Sequence, residues 1–465
     1  MYLNLDKKHA NALAIIDDSG NQFTYGDLIV TIDSWRSFFL ENRKLVFLLC
    51  DNTAVFAATY VALIELKVVP LMLSADIDNG LLANLIDEYK PYCIIGTKPV
   101  ERNDRLEVQT LCGTIVTIFN GASPSLHPDL ALLFPTSGTT GSPKLVRHSY
   151  KNLNFSAQKV AEVFQVSDQS RPIAQLPIHY TMGLSVLTSH LYGGATVLLC
   201  KSALTDGKFW SFIKENEATS FTGVPYSFEV LTKLRLFRMQ LPHLTLLSQG
   251  GGKLNEALWT TIVEESQKKR MQFLPTYGQT EGTARMAYCP PDFATQKTGT
   301  IGIPIPGGKF YLLDEQGSTI SNTWTEGELV YEGDNVAMGY AYSKDDLSLD
   351  DIWKGKLHTG DLAKFDEDHF FYITGRKSRF LKLYGLRIGL DDVEQILKDT
   401  YDFDCAATGD DTLLKVLITD QKVVTLVHDF LVEKTGLFHK AIEVVYCEVI
   451  PRNAAGKVIY NVNRD

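Results

Sequence analysis

Short runs of apolar residues recur through residues 1–298, and segments with a helical spacing of apolar positions separate them. Phe56–Leu66 is one predicted helix. Such alternation is typical of an α/β domain with largely parallel sheets. The apolar runs predict buried strands at Leu45–Cys50, Val68–Leu73, Ile94–Ile95, Leu130–Phe134, Ile173–Leu176, Ala195–Leu199, Leu244–Leu247 and Met271–Leu274.

From about Gly299 the pattern changes to alternating strands separated by glycine-rich turns. Residues 301–317, 327–340 and 370–388 therefore predict antiparallel β-structure with tight turns. The C-terminal part returns to a small α/β pattern. Its predicted elements are the helices Asp391–Asp399 and Val424–Lys434 and the strands Leu414–Thr419 and Glu443–Val449.

A domain boundary is expected near Thr374, where the β-rich segment gives way to this last pattern. It divides the chain into a large N-terminal domain, residues 1–374, and a C-terminal domain, residues 375–465, of ordinary domain size. The predicted fold class is α/β. The N-terminal domain has mixed and parallel sheets flanked by helices and a β-rich subdomain, and the C-terminal domain is a small α+β unit.

Composition narrows the class of protein. The 465 residues carry a net charge of −10 at pH 7, so a nucleic-acid partner gets no electrostatic support. The seven cysteines are dispersed without a C-x-x-C pair, which argues against a disulfide framework or zinc site and fits a reducing compartment. Neither a signal-peptide pattern nor an apolar run long enough to span a membrane is present. We expect a soluble cytoplasmic protein.

The segment Ser-Gly-Thr-Thr-Gly-Ser-Pro-Lys, residues 137–144, has the composition of a phosphate-binding loop. Glycines let backbone N–H groups approach an anion, hydroxyls add donors and the lysine adds charge. The spacing is not that of a Walker loop. An ordinary glycine- and serine-rich loop is the alternative interpretation.

Two acidic motifs follow apolar segments. The motif Tyr-Gly-Gln-Thr-Glu-Gly, residues 277–282, comes after a predicted strand, where the Glu281 carboxylate could hold Mg²⁺ on a nucleotide. In Thr-Gly-Asp, residues 359–361, Asp361 could accept ribose hydroxyls. A polar turn and an Asx-turn, respectively, are the structural alternatives.

Two basic segments stand out in this acidic chain. Residues 375–388 hold five basic side chains, which indicates either a solvated strand or a surface that faces a phosphate or coenzyme. In Asn-Ala-Ala-Gly-Lys, residues 453–457, Lys457 lies on a glycine-containing turn and could enter a site as a mobile cation. A lysine in a disordered tail is the alternative.

In this order, the five motifs resemble those of the adenylate-forming superfamily of acyl- and aryl-CoA synthetases, nonribosomal-peptide adenylation domains and luciferases. The resemblance covers almost the whole chain, with shorter matches at residues 24–28, 300–304 and 327–329. It implies that an acid carboxylate attacks the α-phosphorus of ATP to give an acyl-adenylate and pyrophosphate. A thiol then displaces AMP and forms a thioester. The implied cofactors are ATP, Mg²⁺, and CoA or phosphopantetheine as thiol acceptor.

The resemblance also implies roles for individual residues. ATP or AMP would be bound by Ser137, Gly138, Thr139, Thr140, Gly141, Lys144, Gly250, Tyr277, Gly278, Thr280, Asp361 and Arg376. The implied catalytic residues are Lys457, Thr140, Glu281 and Lys382, and Glu281 is also the implied Mg²⁺ ligand. Rotation of a mobile C-terminal domain would replace Lys457 by the thiol face around Lys382 and Gly385. Ser378 stands at the hinge, where the family usually has Asp or Lys, and this departure bears on the rate of rotation.

The acid pocket is implied around His179, Tyr180, Gly251 and Gly252. Amino-acid-activating members place an aspartate near the position of Tyr180, whereas residues 172–186 contain no carboxylate. Because a buried ammonium without a partner is costly, an α-amino acid is disfavoured. His179 either contacts the acid or is a hydrogen-bonded core histidine. The glycines leave room for a bulky or planar group, so an aryl or fatty acyl acid is favoured.

We therefore predict an acid–thiol ligase, an AMP-forming acyl-CoA or acyl-carrier-protein synthetase. Its partners would be a small carboxylic acid and, if the thiol is protein-bound, a separate acyl carrier protein, for which the compact chain suggests a preference. The alternatives are an amino-acid-activating enzyme, a luciferase-like oxidase and a non-catalytic nucleotide-binding homologue. Loss of Lys144, Glu281 or Lys457 would mark the non-catalytic homologue, and all three are present.

Overall fold

The chain divides into two compact units in the computed structural model. The first unit is Met1–Phe310 with Tyr331–Leu357, and the second is Tyr311–Val330 with His358–Asp465. This division differs from the expected boundary near Thr374. That boundary separates residues 1–374 from the domain that is expected to rotate, residues 375–465, and it stays a prediction. The structure describes residues 1–40, 43–120, 123–135, 144–377, 379–383, 386–410, 412–452 and 458–459.

Strands β1 to β16 belong to the first unit. They are Leu13–Asp17, Gln22–Thr24, Leu45–Cys50, Val69–Ser74, Cys93–Gly96, Arg105–Leu111, Thr114–Phe119, Leu130–Pro135, Leu145–Ser149, Pro172–Ala174, Val197–Leu199, Ser220–Gly223, Leu246–Gln249, Gln272–Tyr277, Ala287–Tyr288 and Ile303–Pro304. Helices α1 to α8 of this unit are Tyr25–Phe39, Ala54–Glu65, Asn79–Tyr89, Tyr150–Val163, Thr181–Gly193, Gly207–Glu215, Pro225–Lys233 and Glu256–Lys268.

The remaining strands, β17 to β27, follow in chain order. They are Lys309–Leu313, Thr319–Ile320, Gly327–Glu332, Gly339–Ala341, Lys356–Phe365, Phe371–Arg376, Phe380–Leu383, Leu386–Gly389, Cys405–Gly409, Leu414–Ile418 and Ile442–Tyr446. Strand β20 lies in the first unit, and the division between the units passes through β17, β19 and β21. Helices α9 and α10 are Leu390–Thr400 and Val424–Thr435.

The first unit is built on two mixed sheets. One has the strand order β16-β15-β14-β13-β12-β10-β11-β1-β2 and is parallel from β14 to β1. The other has the order β20-β9-β8-β4-β3-β5-β7-β6 and is parallel from β8 to β5. Strand β3 is buried at every position, as expected for a parallel strand covered on both faces. The predicted α/β class is confirmed.

Local sequence signals explain where several helices begin and end. Thr24 caps α1, because its side chain accepts a hydrogen bond from the Asp27 N–H while the Asp27 carboxylate accepts from the Thr24 N–H. Helix α5 ends before Gly194, whose φ of 90° lies in the left-handed region that favours glycine. The predicted helix Phe56–Leu66 is α2, displaced by one or two residues. No helix of the described residues is long and apolar enough to cross a membrane.

The second unit contains part of the β-rich region predicted from the sequence, and the rest, which includes β16 and β20, lies in the first unit. One sheet has the order β18-β17-β19-β21-β22, β23 pairs with β24, and β25, β26 and β27 form a further sheet. Helices α9 and α10 contribute Leu397 and Leu431 to a core shared with Val416 of β26. The predicted C-terminal helices and strands are all present, although the last strand ends at Tyr446 rather than Val449.

Arg147 of β9 fixes the segment that carries β20. Its side chain is fully buried, and its guanidinium donates to the carbonyl oxygens of Met338 (3.2 Å), Tyr340 (3.2 Å), Leu349 and Asp350 (3.1 Å). The charge is therefore spread over four backbone acceptors, which would lose their donor if the side chain were removed.

We expect Arg147→Met to lower the free energy of unfolding by roughly 3 kcal/mol, because it leaves buried carbonyl groups without a donor. Urea unfolding, followed by a spectroscopic signal from the first unit, measures the change in this free energy. Lys151→Met is the control, since Lys151 is 69% exposed and its ion pair with Asp334 is a surface pair of little energetic value. Equal stability of the two variants would contradict the structural role of Arg147.

Candidate active site

Glu281 is held by an aromatic side chain from a distant segment. The Tyr340 hydroxyl on β20 donates to Glu281 Oε1 at 2.7 Å. Burial, and then the negative charge of Glu281, raise the pKa of Tyr340, so the hydroxyl remains a donor. The Lys144 ammonium lies 3.7 Å from the centre of the Tyr340 ring. Tyr340 thus contacts both Lys144 and Glu281. The motifs predict these two residues, whereas no motif indicates Tyr340.

The loop that presents Glu281 is pinned by backbone contacts. It leaves β14 and forms a short 3₁₀ turn, Thr280–Gly282, before β15. The Glu281 carbonyl accepts from the Ala337 N–H at 2.8 Å, and the Gly282 carbonyl accepts from the Asn335 amide at 2.9 Å. A side chain on Gly278 would collide with the Ala284 carbonyl group, so glycine is required for this close approach. Tyr277, Gly278 and Thr280 therefore lie at the end of β14 and in the same pinned loop as Glu281, and their roles at the nucleotide stay predictions.

Gly250 and Gly251 form a wall without side chains at the end of β13. A Cβ on Gly250 would lie 2.6 Å from Met182 Cε and 2.7 Å from Thr276 Oγ1, so even alanine would displace a neighbour. Gly251 has a φ of 79°, and a Cβ there would approach Val224. Gly252 is held nearby, because its carbonyl accepts from the Gln249 amide at 2.8 Å.

His179 and Tyr180 precede helix α5, and their ring centroids lie 4.4 Å apart. Both side chains are half-buried. Burial lowers the pKa of His179 to about 4, so the imidazole is neutral at pH 7. The negative charge of Asp76 acts on this pKa in the opposite direction and is the weaker of the two effects. The buried Nε2 has no hydrogen-bond partner among the described residues, so the interpretation of His179 as a hydrogen-bonded core histidine finds no support at this atom.

Asp361 and Arg376 lie in the second unit on the neighbouring strands β21 and β22. They form a cross-strand pair, and Arg376 Nε lies 3.1 Å from Asp361 Oδ1. The Asp361 side chain is only 4% exposed, whereas Arg376 is 54% exposed. The Thr-Gly-Asp motif lies inside β21. The Asp361 N–H donates to Thr359 Oγ1, and the Thr359 hydroxyl donates to the Leu329 carbonyl group of β19.

Several predicted site residues cannot be placed. Ser137, Gly138, Thr139, Thr140, Gly141, Ser378, Gly385 and Lys457 lie outside the described residues, as does the side chain of Lys382. Tyr340, in contrast, contacts Glu281 although no motif contains it. Met182 lies beside Gly250 and belongs to residues 176–183, the segment for which the family resemblance implies a role in the acid pocket.

Comparisons with known proteins agree with this arrangement. The model of the AMP-binding enzyme family matches residues 4–341. A 2-succinylbenzoate–CoA ligase of Bacillus licheniformis is 27% identical over 444 residues, covering 91% of this chain and 90% of that protein.

Solved structures show the same fold. An O-succinylbenzoate coenzyme A synthetase (MenE) from Bacillus subtilis in complex with AMP has a TM-score of 0.78 and 20% identity, over 100% of this chain and 97% of that chain. The anthranilate CoA ligase AuaEII in complex with anthranoyl-AMP has a TM-score of 0.76 and 17% identity, over 97% of this chain and 93% of that chain.

The family match covers well over half of the chain. It confirms the superfamily predicted from the motifs and, with it, the reaction class of an AMP-forming acid–thiol ligase. This chain belongs to the AMP-binding enzyme family.

Proposed function

We propose that this chain is an aryl acid–CoA ligase whose acid has the chemistry of 2-succinylbenzoate, an aromatic keto acid with two carboxylates. The relative from Bacillus licheniformis that bears this name shares 27% identity over 91% of this chain. The observation that carries the proposal is the uncharged wall made by Gly250, Gly251 and Met182. A flat aromatic group can lie against such a wall, whereas an α-ammonium group would find no carboxylate partner in residues 172–186.

In the first half-reaction, the enzyme has to bring two anions together, the acid carboxylate and the ATP phosphates. Positive charge and fixed geometry are therefore the main catalytic requirements. We assign Lys144 and Lys457 as the residues that supply this positive charge. The Lys144 ammonium has a defined position, because it packs against the Tyr340 ring. The neutral His179 adds no charge that would oppose the approach of the carboxylate.

Glu281 is suited to hold Mg²⁺ because it is a single carboxylate oriented through one of its oxygens. Tyr340 donates to Oε1, and Mg²⁺ sites commonly combine one or two carboxylates with phosphate oxygens and water. When bound, Mg²⁺ neutralises phosphate charge. Asp361, oriented by Arg376, is assigned to the ribose hydroxyls.

In the second half-reaction, we assign CoA as the thiol acceptor. The expected preference for a carrier-bound thiol has no support among relatives, which are named CoA ligases. The basic run in residues 375–388 offers charge for the CoA phosphates. Rotation of the C-terminal domain, with Ser378 at the hinge and Lys382 and Gly385 at the thiol face, remains part of the proposal.

The test is ATP–pyrophosphate exchange with a panel of acids, followed by thioester formation. We expect 2-succinylbenzoate to give the strongest exchange, anthranilate and benzoate less, and octanoate and phenylalanine to stay near background. CoA should then release AMP at micromolar concentration. A strongest signal from octanoate or phenylalanine would overturn the aryl assignment. Thioester formation on a phosphopantetheinylated carrier protein, without any on CoA, would overturn the acceptor.

A further inference from the structure

Arg285 is a buried cation that has no acidic partner among the residues the structure describes. It is 1% exposed, and Nη1 donates to Ser185 Oγ at 3.0 Å while the guanidinium lies 4.6 Å from the Phe164 ring centre. Within the same described part of the chain, Nε and Nη2 have no hydrogen-bond partner. Burial lowers its pKa to about 9, so the group is still charged at neutral pH. Arg147, equally buried, uses four carbonyl acceptors, and Arg285 has no comparable set.

A small cavity adjoins the hydroxyl that Arg285 contacts. Its volume is about 20 Å³, more than one water molecule needs, and it takes one small polar group but not a ring. The lining combines apolar side chains with possible hydrogen-bond donors and contains no aspartate or glutamate. The lining residues that carry a hydroxyl or ring N–H group are Tyr2, Tyr60, His148, Ser156, Thr181, Ser185, Thr188 and Thr283.

Two of these donors are available to a ligand. Because Ser185 Oγ accepts a hydrogen bond from Arg285, its own hydrogen can point towards another acceptor. His148 is fully buried, and neither ring nitrogen has a hydrogen-bond partner in the described part of the chain. Burial lowers the pKa of His148 to about 3, so the ring is neutral and one nitrogen carries a hydrogen. Donors backed by a buried cation favour an anion over a neutral group.

The cavity also adjoins the candidate active site. Thr181, the first residue of α5, lines the cavity and directly follows His179 and Tyr180. Thr283 also lines the cavity and lies two residues after Glu281. The segments that line the cavity are therefore the same ones that carry His179, Tyr180 and Glu281.

We propose that this cavity binds the ring carboxylate of the dicarboxylic acid, the one that is not adenylated, and that Arg285 acts on it through Ser185. The inference rests on the proposed function, because only a dicarboxylic aryl acid supplies a second carboxylate. Arg285 is thus a specificity-determining residue that positions and polarises Ser185.

The test compares two acids that differ only in the ring carboxylate, 2-succinylbenzoate and 4-oxo-4-phenylbutanoate. In pyrophosphate exchange we expect the wild type to favour 2-succinylbenzoate about 100-fold in kcat/KM, since a site built to pair a charged group rejects an analogue without it. Arg285→Met should bring the ratio close to one, mainly through a higher KM for 2-succinylbenzoate. Ser185→Ala should lower the ratio in the same direction.

Arg147→Met is the matched control, because it also removes a buried arginine, and its ratio should stay at the wild-type value. A ratio unchanged in Arg285→Met, or a wild type without preference, overturns the inference. If the wild type adenylates neither acid, the proposed function fails, and the cavity is tested by thermal stabilisation. Benzoate but not benzamide should then stabilise the wild type and not Arg285→Met. Equal stabilisation of both proteins, or chloride acting as well as benzoate, overturns the carboxylate assignment.

Discussion

Glu281→Gln is expected to lower ATP–pyrophosphate exchange roughly 10³-fold, the range found when one preorganised electrostatic contact to the reacting groups is removed. Glutamine keeps the size of the side chain and an oxygen that can accept from the Tyr340 hydroxyl, now 2.7 Å from Oε1. It loses the negative charge that a divalent cation requires. The loss should therefore appear in kcat with little change in stability, and the dependence on Mg²⁺ concentration should shift to higher concentrations.

Two further variants separate charge from position. Tyr340→Phe keeps the carboxylate but removes its orienting donor, so we expect about a tenfold loss. Glu264→Gln, a change at an exposed site on α8, should behave as the wild type. If Glu281→Gln kept wild-type exchange and the same Mg²⁺ dependence, the assignment of Glu281 would be wrong.

The elements of this fold that the sequence predicts well are those whose burial is uniform. Strand β3 is apolar throughout and buried at every position, so its pattern alone identifies it. The last strand was predicted three residues too long, because its end is set by its partner. Ile418, the last residue of β26, pairs with Tyr446, and the strand pairing ends where the Cys447 N–H donates to the Ile418 carbonyl group at 2.9 Å.

The same distinction applies to the site, where residues of one contiguous motif are predictable and contacts between distant segments are not. The motifs predicted Glu281 and Lys144 because their residues are contiguous in sequence. Tyr340 could not be predicted, since it reaches Glu281 across 59 residues through the pairing of β20 with β9. Arg285 lies within an apolar stretch, and only the tertiary structure shows that it is buried and bonded to Ser185, 100 residues earlier.

Asp361→Asn is expected to raise the KM for ATP roughly 30-fold, with a smaller effect on kcat. An ionised carboxylate accepts hydrogen bonds from both ribose hydroxyls, and charge-assisted bonds are stronger than neutral ones. Asparagine keeps the shape, but one of its two polar atoms becomes a donor. Because the side chain is only 4% exposed and is held by Arg376, solvent does little to screen the change.

The ribose itself provides the sharpest control for this assignment. With 2′,3′-dideoxy-ATP the wild type should lose affinity, and Asp361→Asn should lose no more, since the hydroxyls that Asp361 binds are already absent. Lys377→Gln is the matched surface control, because Lys377 directly follows Arg376 and is 60% exposed, and its ion pair is with Glu328 of β19. The KM for ATP should not change in this variant. A similar loss with ATP and the dideoxy analogue in Asp361→Asn would mean that the carboxylate stabilises the pairing of β21 with β22 through Arg376 rather than contacting the nucleotide.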